Sequence, residues 1–364
     1  MNYMLKSLVT QLLLLFCLMV KDTKKAAENT GFIQQYERDK FEKMRRIMLT
    51  TSNTLKQISL LSDFSGYGSI IAPSEGALSE MTLEQFSRLS CWNAQSITDG
   101  YNRLLEIVEE GQKIYYPLWD QGDADTDPSI KERYLIHFPV KKKAPFVIVC
   151  AGGGYLGCAS MIEAYPTCVH LNQLGYHAFS LNYRCGENAK APNPLDDMAY
   201  AIDYIRKNGE ILGIDISDYA ITGFSAGGHL AACFGTESAG WKHYNLPSPS
   251  AVFLGYPVVT MGEKSHDSSR IMFLGKENIY DEEIISRYSV ELLITPDYPP
   301  TFVWQCTRDH TVPIENTQML VNALTENNVP HKYETFDSDN HGWGAGDGTL
   351  AEGWIERAVS FWQN

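Results

Sequence analysis

The pattern of apolar and polar residues changes near position 132. From there onwards, short apolar runs rich in β-branched and aromatic residues alternate with segments of helical pattern. The short runs predict strands over 133–138, 145–151, 177–183, 219–223, 251–256, 301–306 and 331–336. The segments between and after them predict helices over 161–174, 195–212, 226–236, 313–327 and 350–363. Nearly continuous apolar strands alternating with helices are typical of an α/β protein, with a mostly parallel sheet covered on both faces.

The chain before this region divides into three segments. Residues 1–20 contain an apolar run at 7–20, and residues 21–57 are rich in charged side chains. Residues 58–131 combine turn-rich stretches with two helical patterns. We therefore predict an apolar N-terminal segment, a charged tail or helix, a helical extension and, over 132–364, one domain of strands and helices.

The apolar run at 7–20 leaves the location of the protein open. It resembles the core of a signal peptide, but no A-x-A-like cleavage site follows it. It is also shorter than the roughly 20 apolar residues that a membrane-spanning helix needs. An uncleaved anchor, a cleaved signal and a cytosolic start are all compatible with it. Eight cysteines without a C-x-x-C pair favour a reducing compartment. A cytoplasmic location, or membrane association through residues 7–20, is thus favoured over secretion.

The charge of the chain limits its partners. The formal net charge is −14, and nucleic-acid phosphates are bound chiefly by lysine and arginine, so nucleic acid is disfavoured as a partner. An acidic chain is compatible with a neutral small molecule such as a sugar ester, although acidity often serves only solubility. The pattern makes no prediction of the oligomeric state.

A single serine stands between glycines in the stretch AITGFSAGGHLAA, residues 220–232. Ser225 follows a predicted strand and begins a predicted helix, and Gly223 and Gly227 complete a G-x-S-x-G pattern. A sharp turn between strand and helix exposes the serine hydroxyl, and glycines are required where neighbouring backbones approach closely. We interpret Ser225 as a candidate nucleophile; an ordinary tight turn is the alternative.

A second glycine cluster follows the strand predicted at 145–151. Its backbone can direct N–H groups at a developing negative charge, so we predict an oxyanion hole made by the amides of Gly153, Gly154 and Ala226. A phosphate-binding loop is the alternative. It is disfavoured because the cluster lacks both the G-x-x-x-x-G-K-[ST] and the G-x-G-x-x-G patterns.

Two further candidates follow the last two predicted strands. Asp309 lies just after the strand at 301–306, and His341 lies in a glycine-rich loop after the strand at 331–336. Imidazole suits a general base near neutral pH, and a carboxylate can orient it. Asp337 and Asp339 are weaker candidates because they are so close to His341 in sequence. No histidine–cysteine cluster of metal-binding spacing occurs, so neither a metal nor another cofactor is predicted.

These motifs resemble those of the α/β-hydrolase superfamily over about 132–364. More narrowly, AGGGY, LNYR, GFSAGGHLAA, FLGYPV and NHGWG resemble the acetyl esterase and xylan-acetyl-esterase-like branch, whose members are often described as prolyl-oligopeptidase-type or carboxylesterase-like. The resemblance implies the α/β-hydrolase fold, Ser225 as nucleophile, His341 as base and Asp309 as orienting acid. It also implies a structural pair of Arg184 and Asp197. A difference is Ala151, where lipase-like relatives carry histidine.

The resemblance implies a serine ester hydrolase for short-chain acyl esters, chiefly acetyl, of carbohydrates or other alcohols, with no cofactor. A serine peptidase of the prolyl oligopeptidase type is one alternative. It is disfavoured because the residues upstream of 132 are too few for a propeller domain. A non-catalytic binding protein on the same fold is the other. We also expect residues 260–298 to form a small cap, and residues 58–113 to form one wall of the site.

Overall fold

The structure, a computed structural model, describes residues 48–363. Eight strands form one sheet: β1 (Tyr115–Pro117), β2 (Tyr134–Phe138), β3 (Ala144–Cys150), β4 (His177–Asn182), β5 (Ile214–Phe224), β6 (Ala251–Gly255), β7 (Thr301–Cys306) and β8 (His331–Phe336). Their spatial order is β1-β2-β4-β3-β5-β6-β7-β8. The strand β2 pairs antiparallel with both β1 and β4 at one edge, and the remaining pairs, from β4–β3 to β7–β8, are parallel.

Thirteen α-helices are described between residues 48 and 363. They are α1 (Leu55–Ser59), α2 (Gly68–Ile71), α3 (Leu83–Ser87), α4 (Ala94–Glu109), α5 (Gln121–Thr126), α6 (Ala164–Gln173), α7 (Asn193–Lys207), α8 (Gly209–Leu212), α9 (Ser225–Phe234), α10 (Asp267–Leu274), α11 (Glu282–Tyr288), α12 (Glu315–Glu326) and α13 (Trp354–Gln363). Short 3-10 turns lie at Ser62–Phe64, Pro128–Glu132, Gly186–Asn188 and Val290–Leu292.

The predicted fold class is confirmed, since all seven predicted strands occur in one mostly parallel sheet. The main differences are at β1 and β5. The strand β1 was not predicted because three residues are too few to show a period. The strand β5 begins at Ile214 rather than at 219, because polar residues in its first half hid the pattern.

The sheet separates two hydrophobic clusters, as the alternation along β3 shows. Phe146 and Ile148 belong to one cluster, and Val147 and Val149 to the other. Helices α7, α9 and α12 contribute to the first cluster, and α4, α6 and α13 to the second. Both faces of the sheet are therefore covered, which explains why the strands β3, β6 and β7 are almost wholly buried.

The described residues before β1, from residue 48 onwards, contribute to this core. Leu55 and Ile58, both in α1, are completely buried in the second cluster together with Val147 of the sheet. The predicted boundary at 57 therefore does not coincide with a break in the structure, since α1 crosses it. The two apolar residues of α1, Leu55 and Ile58, are too few to predict a helix within a charged segment.

The parallel strands bring the candidate loops together. The glycine cluster follows β3, Ser225 follows β5, Asp309 follows β7 and His341 follows β8. Because the carboxyl ends of parallel strands meet at one edge of the sheet, all four loops lie along that edge. None of the helices between residues 48 and 363 has the length and apolar character needed to cross a membrane. The apolar run at 7–20 lies outside the described residues.

A buried histidine pair should make the fold sensitive to acid. His137 on β2 has its Nε2 atom 3.2 Å from Nδ1 of His177 on β4, and its ring stacks on Phe179 at 4.1 Å. Burial, and secondarily the proximity of His177, lower the pKa of His137 well below its ordinary value of 6.5. The unfolded chain thus takes up a proton near pH 6.5 that the folded chain does not, so stability falls as pH falls.

We therefore expect His137 to contribute about 1 kcal/mol to the stability lost between pH 6.5 and 5.5. Urea unfolding of the wild type and of His137→Phe, which keeps an aromatic ring on Phe179, would measure it. The variant should lose less stability than the wild type over this interval. Equal losses would contradict the assignment.

Candidate active site

Ser225 occupies a strained turn between β5 and α9. Its φ is +51°, in the left-handed region that costs a non-glycine residue on the order of 1–2 kcal/mol. The flanking glycines are required by close packing. A Cβ on Gly223 would lie 2.1 Å from the carbonyl oxygen of Gly227, and one on Gly227 would lie 2.3 Å from that of Ala151. The turn therefore holds the serine against the glycine cluster after β3.

Three of the predicted side chains form a hydrogen-bonded chain. Oγ of Ser225 lies 2.9 Å from Nε2 of His341, and Nδ1 of His341 lies 2.6 Å from Oδ2 of Asp309. A carboxylate at Nδ1 favours the tautomer in which that nitrogen carries the proton, which leaves Nε2 free to accept the serine proton.

The orientation of Asp309 is fixed by its own partners. The backbone N–H groups of Thr311 and Val312 donate to Oδ1 at 2.8 and 3.0 Å, and the side-chain amide of Gln305 approaches Oδ2 at 3.3 Å. The side chain is fully buried. The rival candidate Asp337 instead forms an exposed ion pair with Arg308. The structure thus brings Asp309, and not Asp337, to the imidazole.

The predicted oxyanion donors lie beside the serine. Gly153 and Gly154 have φ values of +125° and +64°, and both line a cavity of about 420 Å³ together with Ser225 and His341. Within residues 48–363, the amides of Gly153, Gly154 and Ala226 donate to no acceptor. The amide of Ala226 belongs to the first turn of α9, where backbone N–H groups have no partner within the helix. These three donors are therefore available to a substrate oxygen.

Glu163 and Tyr256 also contact the site residues, although the sequence did not predict them. Glu163 is buried before α6, and its two oxygens accept hydrogen bonds from the backbone N–H of Gly152 at 2.5 Å and from the Tyr256 hydroxyl at 2.8 Å. The Tyr256 hydroxyl oxygen in turn accepts the backbone N–H of Gly344 at 2.9 Å. Burial raises the pKa of Glu163, while its hydrogen bonds and nearby His341 oppose the shift.

This network joins the glycine cluster to the loop of the imidazole. The ring of Tyr256 also packs edge-on against His341, with ring centres 4.7 Å apart. The hydroxyl of Tyr183 supports the cluster from another side, since it donates to the carbonyl of Ala151 at 2.6 Å. These contacts brace the glycine cluster that follows Ala151. No sequence signal marked Glu163, which lies eleven positions after Gly152 in an unremarkable segment.

Arg184 and Asp197 form a buried ion pair. Nε of Arg184 lies 3.0 Å from Oδ1 of Asp197, and the arginine backbone N–H donates to Oδ2 at 2.8 Å. Burial raises the pKa of Asp197, and Arg184 counteracts the shift. Neither residue lines the cavity. Their contacts connect the loop after β4 to α7, as expected for a structural pair.

The remaining walls of the cavity come from two other segments. His266 and Ser268, at the start of α10, belong to residues 260–298, which contain α10, α11 and a 3-10 turn. Ser90 and Trp92 come from the turn between α3 and α4, within the predicted wall segment 58–113. Within residues 48–363, no group of histidine, cysteine, aspartate and glutamate side chains could hold a metal ion.

The chain is similar to known carbohydrate-active and esterase proteins. Residues 136–324, more than half of the chain, match the BD-FAE family. Endo-1,4-beta-xylanase B of Butyrivibrio fibrisolvens is 33% identical over 230 residues, which are 61% of this chain and 35% of that protein. Acetylxylan esterase of Xylanibacter ruminicola is 29% identical over 219 residues, 59% of this chain and 44% of that protein. The chain thus spans between a third and a half of these curated relatives.

A solved structure matches over most of its own length. The acetyl ester-xyloside bifunctional hydrolase from Caldicellulosiruptor lactoaceticus is 31% identical, with a TM-score of 0.61, over 68% of this chain and 95% of that one. The carboxylesterase Cest-2923 from Lactobacillus plantarum is 25% identical, with a TM-score of 0.55, over 64% of this chain and 92% of that one. The predicted resemblance to acetyl esterases with an α/β-hydrolase fold is therefore confirmed.

The Tyr256 hydroxyl should contribute measurably to stability. Tyr256→Phe removes one donor from a buried carboxylate and the acceptor of the Gly344 amide, so we expect a loss of about 1–3 kcal/mol in the free energy of unfolding. Tyr333→Phe is the matched control, because the Tyr333 hydroxyl is buried without a partner among residues 48–363. Urea unfolding would compare the two variants. Equal changes would exclude a stabilising role for the network.

Proposed function

The chain belongs to the BD-FAE family, and from this membership and the geometry of its site we propose that it is a serine ester hydrolase for short-chain acyl esters of carbohydrates, with acetyl as the expected acyl group. One observation carries the proposal. The hydroxyl of Ser225 lies within hydrogen-bond distance of the His341 imidazole, and the buried carboxylate of Asp309 orients that imidazole.

The mechanism follows from this arrangement. His341 Nε2 accepts the proton of Ser225 as Oγ attacks the ester carbonyl, and the amides of Gly153, Gly154 and Ala226 donate to the resulting oxyanion. Collapse of the intermediate breaks the bond to the alcohol oxygen, which takes the proton from His341. Water then attacks the acyl-enzyme by the same route, and the carboxylic acid leaves. Every proton is thus moved by one imidazole, and no cofactor is required.

The volume and the lining of the cavity support a short acyl group and a neutral alcohol. Its volume is about 420 Å³, and Leu156, Ala159 and Ile162 supply an apolar portion. No lysine or arginine is among the described residues that line it. Among similar proteins, one is named acetylxylan esterase and another acetyl ester-xyloside bifunctional hydrolase, which supports an acetylated sugar as substrate.

The two alternatives have less support. The peptidase alternative has less support because two of the similar proteins are named for ester hydrolysis, one as an acetylxylan esterase and one as an acetyl ester-xyloside bifunctional hydrolase. A non-catalytic binding protein would have no need of an aligned serine, imidazole and carboxylate. Ester hydrolysis is therefore the function that the site favours.

Removal of the nucleophile should abolish turnover. Ser225→Ala should lower kcat for p-nitrophenyl acetate by at least about 10³-fold and abolish labelling by a fluorophosphonate probe, with an unchanged circular dichroism spectrum. Ser268→Ala, which alters another serine of the same cavity, should remain labelled. Turnover by Ser225→Ala at the wild-type rate would refute the proposed mechanism.

The orienting acid can be identified by comparing two aspartates. Asp309→Asn should lower kcat by roughly 10⁴-fold, because an amide in place of the carboxylate favours the wrong imidazole tautomer. Asp337→Asn should leave kcat close to the wild-type value, because this side chain is exposed and paired with Arg308. Steady-state kinetics on p-nitrophenyl acetate would distinguish them. The reverse result would assign the role to Asp337.

A further inference from the structure

We propose that residues 88–93, the turn between α3 and α4, form a sugar-binding subsite in which Trp92 stacks against the alcohol part of the substrate. This inference rests on the proposed esterase function and specifies its substrate. The turn lies outside residues 136–324, which match the family, yet its residues Ser90 and Trp92 line the cavity that contains Ser225.

The turn is fixed to the loop that carries the imidazole. The thiol of Cys91 donates to the backbone carbonyl of His341 at 3.2 Å. The side-chain amide of Asn93 donates to the carbonyl of Asp347 at 3.2 Å, and the Ser96 hydroxyl donates to the carboxylate of the same residue at 2.7 Å. These three hydrogen bonds hold together residues that are about 250 positions apart in the sequence. The position of Trp92 is consequently set relative to the reacting atoms.

The aromatic ring of Trp92 is held in place by a second aromatic ring. Its ring stacks on Phe86, with ring centres 5.3 Å apart and an angle of 29° between the rings, and Phe86 is itself buried. The indole remains partly exposed in the cavity, and its N–H has no acceptor among residues 48–363. An aromatic face with a free N–H at its edge suits a sugar ring, whose C–H face packs on the indole while a hydroxyl accepts the N–H.

The location of Trp92 assigns it to the alcohol rather than to the acyl group. His341 Nε2 must donate a proton to the leaving oxygen, so the alcohol lies beside the imidazole when the ester bond breaks. Gly342 follows directly, and a Cβ on that glycine would be 3.6 Å from Nε1 of Trp92. His266 instead lies beside Gly154, near the proposed oxyanion donors.

The polar groups of the cavity that Trp92 lines match a neutral polyol. The hydroxyls of Ser90, Ser268 and Thr311 and the imidazole of His266 line the same cavity. Each can donate and accept hydrogen bonds, as sugar hydroxyls require. The one carboxylate of the lining, that of Glu163, is engaged by Gly152 and Tyr256. The rim therefore favours an uncharged alcohol with several hydroxyls over an anionic one.

The test compares kcat/KM for acetylated xylo-oligosaccharides with that for ethyl acetate, whose alcohol has no ring to stack on the indole. In full-length Trp92→Ala, the ratio of the two values should fall by about tenfold, mainly through a higher KM for the sugar ester. Trp92→Phe, which keeps a stacking ring, should recover part of the ratio. Tyr280→Ala, which changes an aromatic side chain that is 84% exposed and outside the cavity, should leave the ratio unchanged.

The other outcomes overturn the proposal in distinguishable ways. Equal losses for both esters in Trp92→Ala would assign Trp92 only to support of the His341 loop and leave the esterase function standing. An equal loss with hexyl acetate as with the sugar ester would assign the subsite to apolar alcohols. Failure of the wild type to hydrolyse any of these esters would overturn the proposed function together with the subsite.

Discussion

The remaining features of the site depend on the hydrogen bond between Ser225 and His341. It joins residues 116 positions apart, so no local pattern can produce it. It forms because β5 and β8 run in the same direction in one sheet, with β6 and β7 between them. The loops after β5 and β8 then open on the same edge, where a strained turn directs the serine towards the imidazole. The buried core of parallel strands is thus the structural condition for the chemistry that we propose.

A second set of contacts holds the two sides of this site at a fixed separation. The carboxylate of Glu163 would be costly to bury alone, but its oxygens accept hydrogen bonds from Gly152 and Tyr256. Tyr256 extends the connection to Gly344, so the glycine cluster and the His341 loop share one polar network. Movement of the glycine cluster would remove one of the two donors to this buried carboxylate, and movement of the His341 loop would leave the Gly344 amide without its acceptor. Such a network favours a single arrangement of donors and base over alternatives that hydrophobic packing alone would allow.

Features that arise from local sequence patterns were predicted from the sequence, whereas features that arise from contacts between residues distant in the sequence were not. The strand at 301–306 was predicted to the residue, because a continuous apolar run ends at a clear turn. Ser225 and His341 were singled out by glycines beside strand ends, which are visible in a short window. Glu163 and Tyr256 gave no such signal, since their importance arises from partners on other elements. The core role of α1 was not predicted for the same reason, because its two apolar residues are buried among residues of other elements.

The division of the site between segments has a consequence for specificity. The proposed nucleophile and the proposed oxyanion donors lie within residues 136–324, which match the family, whereas Trp92 lies before that range and His341 after it. The reaction needs the imidazole in one place relative to the serine, so the position of His341 is constrained by the chemistry. Trp92 has no such constraint, because an alcohol of different shape requires only a different surface beside the same imidazole. In the proposed subsite, the alcohol preference thus depends on the α3–α4 turn, which supplies none of the proposed acyl-transfer groups.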